Sequence, residues 1–197
     1  RWIRLCSCGE PLRRLCPVFS YKKDSKAPKT YLNFEGVDSC FYVWVNGSFV
    51  GYSQVSHSTS EFDVTELLRE GENTLAVLVV KWCDGSYFED QDKFRMSGIF
   101  RDVYLLNRPE NGIQDYFVKA IPSEDYQDGT ITIDFTYRKE PVPVNITLSD
   151  AEGKTLAQVT AEGQVSIPVK NAHLWSAEDP YLYKLVLSTG DEAITEQ

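Results

Sequence analysis

Sustained apolar spacing at i, i+3, i+4 and i+7 is missing from this 197-residue chain, which excludes long amphipathic helices. No apolar run approaches the roughly 18–20 residues of a membrane helix, and the N-terminal stretch has no uninterrupted apolar core of the signal-peptide kind. A membrane is therefore not an expected partner. Histidine is nearly absent: His57 and His173 stand alone, neither with an acid or nucleophile at a recognisable spacing, so no catalytic triad is expected. The five cysteines, Cys6, Cys8, Cys16, Cys40 and Cys83, are odd in number and contain no C-x-x-C pair, which argues against a disulfide scaffold. Three of them crowd the N-terminal stretch without a nearby fourth ligand, so a zinc tetrahedron is disfavoured. Free thiols point to a reducing compartment, and the cytoplasm is the expected location.

Positive charge is scarce beyond the first residues. Formal net charge is −9, yet residues 1–29 hold eight Lys/Arg against two Asp/Glu and carry +6, leaving −15 for the remainder. An acidic body repels phosphate backbones, so nucleic acid is excluded as a partner of that body.

What remains is rich in Tyr, Phe, Val, Thr and Trp, the composition of an all-β chain. Residues 30–34 (TYLNF) alternate, and residues 41–45 (FYVWV) run into Asn46-Gly47, the dipeptide best suited to the two positive φ angles of a type I′ turn. A hairpin returning through residues 49–54 is predicted. In residues 61–71 (EFDVTELLREG), Asp63 and Glu66 have capping-box spacing and Gly71 supplies an exit, which predicts one or two helical turns. Residues 73–82 (NTLAVLVVKW) form the most continuous apolar run, the pattern of a strand buried on both faces. Residues 99–106 return as another strand. Turn formers gather in residues 107–112 (NRPENG), where the domain boundary is placed. Beyond it, short strands are predicted at residues 113–121, 130–137, 144–148, 156–160, 165–169 and 181–187. A seventh begins at 193–197, where it is cut short, and this rhythm suits an immunoglobulin-like sandwich.

Residues 33–46 (NFEGVDSCFYVWVN) and 51–67 (GYSQVSHSTSEFDVTEL) resemble the sugar-binding jelly-roll domain of family 2 glycoside hydrolases. Residues 82–103 (WCDGSYFEDQDKFRMSGIFRDV) resemble the stretch of the family's β-galactosidases that ends the jelly roll and reaches toward the active site. Residues 171–185 (NAHLWSAEDPYLYKL) resemble the close of the immunoglobulin-like domain that follows. The resemblance implies a partial jelly-roll (galactose-binding-like) β-sandwich over 30–108, then an immunoglobulin-like β-sandwich over 109–197. Residues 1–29 are a basic leader without a match, apart from a faint likeness of residues 17–23 to a strand entry. The missing strands predict an exposed edge and apolar face, hence self-association or covalent continuation into a barrel domain.

By the same resemblance Asp84 helps bind a sodium ion and the galactosyl group of a galactoside substrate, next to a catalytic barrel whose glutamates have no counterpart here. A carboxylate on a loop is a hard oxygen ligand and accepts hydrogen bonds from sugar hydroxyls. The competing reading makes Asp84-Gly85-Ser86 a plain turn with Asp chosen for its backbone bond. No cofactor is expected within the chain itself, and sodium and magnesium are implied for the intact enzyme. Glu89, Asp90 and Asp92 are paired carboxylates of the kind glycosidases use, but they are read as structural partners of Lys93, Arg95 and Arg101. Trp44, Trp82 and Trp175 are read as core, and Ser97-Gly98 either packs toward the barrel or permits a turn. Asn46 and Asn145 match the glycosylation pattern and are read as turn and strand. Three functions are compatible with these residues: an accessory region of a β-galactosidase, a free-standing carbohydrate-binding module, or a ligand-free pair of sandwiches.

Overall fold

The computed structural model describes residues 12–15, 17–88, 94 and 97–197. Cys6, Cys8, Cys16, Glu89, Asp90, Asp92, Lys93 and Arg95 lie outside them. Two compact units divide the chain, the first ending at Arg108 and the second running Pro109–Gln197. Both are antiparallel β-sandwiches, and among the described residues no helix is long and apolar enough to cross a membrane.

The first unit contains β1 (Leu12–Leu15), β2 (Val18–Tyr21), β3 (Lys29–Phe34), β4 (Val37–Asp38), β5 (Cys40–Val45), β6 (Ser48–Gln54), β7 (Ser60–Asp63) and β8 (Gly71–Val80). The single turn α1 (Gly85–Phe88), β9 (Gly98–Ile99) and β10 (Val103–Arg108) complete it. One sheet runs β1-β8-β5-β6, with β2 also on β8; the other runs β10-β3-β7, and β4 pairs with β9. The register of β2 continues that of β1 along β8, from Leu12 opposite Val80 to Tyr21 opposite Gly71. Pro17, which cannot donate a ladder bond, sits in the break and accepts from Leu75 N–H at 3.1 Å.

These two strands lie inside residues 1–29, where the sequence pattern suggested a leader without a match. The alternation Val18-Phe19-Ser20-Tyr21 turns Tyr21 into the core, where its hydroxyl lies 2.8 Å from Thr30 Oγ1. High local charge masked a half-buried edge strand.

The Asn46-Gly47 hairpin forms as predicted, with φ of 53° and 83° at the two turn residues. Asn46 also anchors it: its Nδ2 donates to the Leu67 carbonyl and to Asn73 Oδ1, and its Oδ1 accepts from Thr74 N–H. Alternation on β5 sends Phe41, Val43 and Val45 inward to meet Leu32, Phe34, Leu75, Val77 and Val79. Phe34, Phe41 and Phe62 pack with ring centroids 4.8–6.1 Å apart in tilted and edge-on geometry.

Three expectations are corrected in this unit. Residues 60–63 extend as β7, and the chain then makes one hydrogen-bonded turn rather than a helix, with Leu67 and Leu68 N–H both on the Val64 carbonyl. Asp63 still caps, accepting from Thr65 N–H at 2.9 Å, but Phe62 is held in the sheet by its aromatic neighbours, and tertiary packing overrides local propensity. Strand β8 is not buried on both faces: Asn73, Leu75, Val77 and Val79 are buried, while Ala76, Leu78 and Val80 face outward, half covered. Trp44 shares that outer face with Tyr42, Phe49 and Tyr52 in a row of ring contacts and is not core.

The second unit contains β11 (Ile113–Pro122), β12 (Gly129–Tyr137), β13 (Val144–Ser149), β14 (Thr155–Ala161), β15 (Val165–Val169), β16 (Lys184–Ser188) and β17 (Ala193–Glu196). Its sheets run β11-β12-β15 and β14-β13-β16-β17, the arrangement of an immunoglobulin-like sandwich. Ile113, Ile133, Ile146, Leu148, Ile167 and Leu187 fill the space between them. Trp175 is 61% exposed and does not anchor this core. His173 stacks on Tyr181, with centroids 4.1 Å apart, and pairs with Asp179 at 2.6 Å, which accounts for it structurally.

Candidate functional site

The site predicted around Asp84 lies where β8 ends. The strand stops at Val80, Trp82 turns out to 52% exposure against the Lys81 ammonium, and α1 comes immediately after. Asp84 begins that turn. Its carbonyl accepts from Tyr87 N–H at 3.0 Å, and its Oδ1 accepts from Gly85 N–H at 2.8 Å. These bonds are those of the turn reading of the Asp-Gly-Ser tripeptide. The Asp84 side chain is exposed, and its second carboxylate oxygen makes no bond among the described residues. An accessible carboxylate with one oxygen fixed and one available can accept a hydroxyl proton or take a hard cation.

A buried network of hydroxyls, which sequence reasoning missed, fixes the loop. Ser86 Oγ accepts from Cys83 N–H at 3.1 Å and donates to Ser39 Oγ at 2.9 Å. Ser39 Oγ is 2.7 Å from both the Lys81 carbonyl and Asp38 Oδ1, and Ser56 Oγ donates to that same Asp38 oxygen at 3.0 Å. Ser39, Ser56 and Ser86 are all buried, so each of these bonds replaces one to water that burial removes. The only sequence signal was Ser86 itself, directly after Asp84-Gly85. Ser39 and Ser56 come from segments dozens of residues away, and no local pattern links them.

Burial sets the electrostatics behind the loop. Burial chiefly raises the Cys40 and Tyr52 pKa values, and the Asp84 charge adds to the shift at both. Both groups stay protonated near neutrality. Gly98 occupies the left-handed region at φ 93° and pairs with Asp38 across β4-β9, so a backbone requirement accounts for that glycine. His57 packs on Phe100 with centroids 5.1 Å apart, and its carbonyl accepts from Arg101 Nη1. Among the described residues, no group of three His, Cys, Asp or Glu side chains is placed to hold a metal. Asp84 thus fits the role of one cation ligand and does not make a coordination shell.

This geometry meets known proteins at two levels. The first unit matches the family model "Glycosyl hydrolases family 2, sugar binding domain" over residues 17–109, and the second matches "Glycosyl hydrolases family 2" over residues 111–197. The chain belongs to glycosyl hydrolase family 2, and these residues match two of its domains. A β-galactosidase of Actinobacillus pleuropneumoniae is 48% identical over 189 residues, covering 95% of this chain and 19% of that protein. One from Staphylococcus xylosus is 44% identical over 190 residues, covering 96% and 19%. The chain therefore spans about a fifth of the length of these relatives, which continue into further domains. Among solved structures, a β-glucuronidase from an uncultured Clostridium species superposes with a TM-score of 0.81 at 26% identity, over 93% of this chain and 34% of that one. A β-glucuronidase from Ruminococcus gnavus superposes at 0.78 with 21% identity, over 94% of this chain and 35% of that one, a likeness of fold.

Proposed function

We propose that this chain is the non-catalytic front of a β-galactosidase, and that it lends Asp84 to a galactoside site whose catalytic groups lie in a barrel beyond these residues. The carrying observation is the exposed Asp84 carboxylate on a turn fixed from behind by buried serines. Identity of 48% and 44% to proteins named β-galactosidases favours a galactoside over the glucuronide that the more distant structures' names indicate. Domain limits of 30–108 for the sugar-binding module and 109–197 for the immunoglobulin-like one accord with this reading, β1 and β2 adding an edge to the first.

In this reading Asp84 Oδ1 stays engaged with Gly85 N–H, which holds the carboxylate plane, while the other oxygen meets the ligand. Sodium, when bound, supplies a fixed positive charge that orients sugar hydroxyls. Asp84 would help hold it through its carboxylate. No residue of this chain is assigned to magnesium. Bond cleavage, with retention, belongs to the barrel glutamates, so the chain alone is inactive. Free thiols at Cys40 and Cys83 accord with a cytoplasmic location. The outer face bearing Tyr42, Phe49 and Tyr52 needs cover, which we assign to the rest of the polypeptide or to self-association.

The test is a chimera in which this chain replaces the matching region of the Actinobacillus enzyme. Activity on a chromogenic galactoside should be retained, and Asp84→Asn should lower kcat/KM by roughly 10–100-fold. Equal activity of the two chimeras refutes the role of Asp84. The chain alone should release no chromophore and give no calorimetric heat with galactose. Heat without the barrel would favour the alternative, a free-standing carbohydrate-binding module.

A further inference from the structure

The interior of the second sandwich is open at one end. Leu187 and Leu185 of β16 are buried, and their partners on β17 are Ile194 and Glu196, so alternation places those two on the inward side of the strand. Ile194 packs on the core. Glu196 is exposed instead, and its Oε2 accepts the Tyr116 hydroxyl at 2.6 Å. Next to Glu196 and Gln197 lies a cavity of about 410 Å³ lined by Val118, Ile131, Leu148 and Leu185, which come from both sheets. Around it Leu174, Trp175 and Leu182 remain 38–61% exposed. A space of roughly 150 Å³ with such a lining takes a benzene ring, so this one has room for two large apolar side chains.

We propose that this cavity is the seat of the segment that follows Gln197 in the longer polypeptide, which runs on as β17 and fills the open end with apolar side chains at its first and third positions. The inference rests on the reading of the chain as the front of a β-galactosidase, since it matches 19% of the length of such relatives. Register fixes the positions. Continuing the pairing of Leu185 with Glu196 sets Gln197 opposite Lys184, the next residue opposite Tyr183 and the one after it opposite Leu182. The first and third residues past Gln197 therefore share the side of Ile194, and the second points away. The same pairing extends β16, which starts at Lys184, back through Tyr183 and Leu182 and gives their backbone groups partners. A second copy of the chain suits the cavity less, because β17 already ends beside it and a covalently attached strand arrives without the loss of translational freedom that association costs.

The 197-residue chain is compared with the same chain carrying, after Gln197, the roughly ten residues that follow the matched region of the Actinobacillus enzyme. Tm followed by circular dichroism should rise by at least about 4 °C. The amides of Leu182 and Tyr183 should become protected from hydrogen exchange. Aspartate at the first or third added position should abolish both effects, and aspartate at the second should leave them. Protection indifferent to which position carries the aspartate overturns the proposal, as does an unchanged Tm with Leu182 and Tyr183 exchanging as fast as before. A dimer of the unextended chain in sedimentation, with the same two amides already protected, puts a second copy in the cavity and also overturns it. Activity of the Actinobacillus chimera scores the galactosidase reading separately: an active chimera with no effect of the added segment sinks this inference alone, and an inactive chimera with a stabilising segment sinks only that reading.

Discussion

Removing the Glu192 carboxylate should cost the second unit more than any surface charge does. Glu192 and Arg138 are each only 10% exposed, and Glu192 Oε1 receives Arg138 Nη2 at 3.1 Å and Ile113 N–H at 2.8 Å. Arg138 Nη1 closes the ring on the Ile113 carbonyl at 2.8 Å, so one ion pair ties the β16–β17 turn to the start of β11 and the end of β12. Arg138 Nε has no acceptor among the described residues, so the guanidinium already lacks one bond. Glu192→Ala strands a buried cation and an amide, a loss of about 3–5 kcal/mol. Domains of this size hold about 0.05–0.15 kcal/mol per residue in total. At roughly 4–8 °C per kcal/mol, Tm should fall by at least about 12 °C. The assay is thermal unfolding followed by circular dichroism. Glu192→Gln, which keeps an acceptor for Ile113, should fall between, and Arg138→Met/Glu192→Leu should recover much of the loss. A drop below about 1 kcal/mol, the value of an exposed pair, refutes the reasoning.

Three further outcomes are expected. Phe41→Ala, at the meeting of the Phe34 and Phe62 rings, should destabilise the first unit by about 3–5 kcal/mol in urea unfolding, with the slope unchanged. Gly47→Ala should cost about 1–2 kcal/mol through φ alone, because an added Cβ would meet nothing within 4 Å. Tyr116 is pushed up to about 12 by burial and by Glu196, which accepts its hydroxyl at 2.6 Å. The unfolded state loses this proton near pH 10, so the stabilisation is complete below that and vanishes as pH rises toward 12. Tyr116→Phe should flatten the alkaline fall in denaturation midpoint over that window, and an unchanged slope would contradict the shift.

The hairpin at Asn46-Gly47 and the strands of the second unit were readable because turn chemistry and alternation are local. The turn after Asp63 was misread because capping spacing is also local, whereas the aromatic contacts that extend residues 60–63 come from β3 and β5. Strands β1 and β2 were hidden by the charge around them, and their evidence is the pairing with β8 some sixty residues on. Trp82 and Trp175 were assigned inward on residue type, which says nothing about strand ends and loops. At the site, Asp84 was visible through a family likeness. The Ser39–Ser86 bond that holds its loop joins segments 47 residues apart and has no trace in the linear pattern.

The most direct check of the account is the sodium response of the Actinobacillus chimera carrying this chain. With Asp84 present, KM for a chromogenic galactoside should fall as sodium replaces potassium at constant ionic strength, and with Asp84→Asn it should stay flat. The same sodium response in both proteins would mean that Asp84 is a turn residue and nothing more.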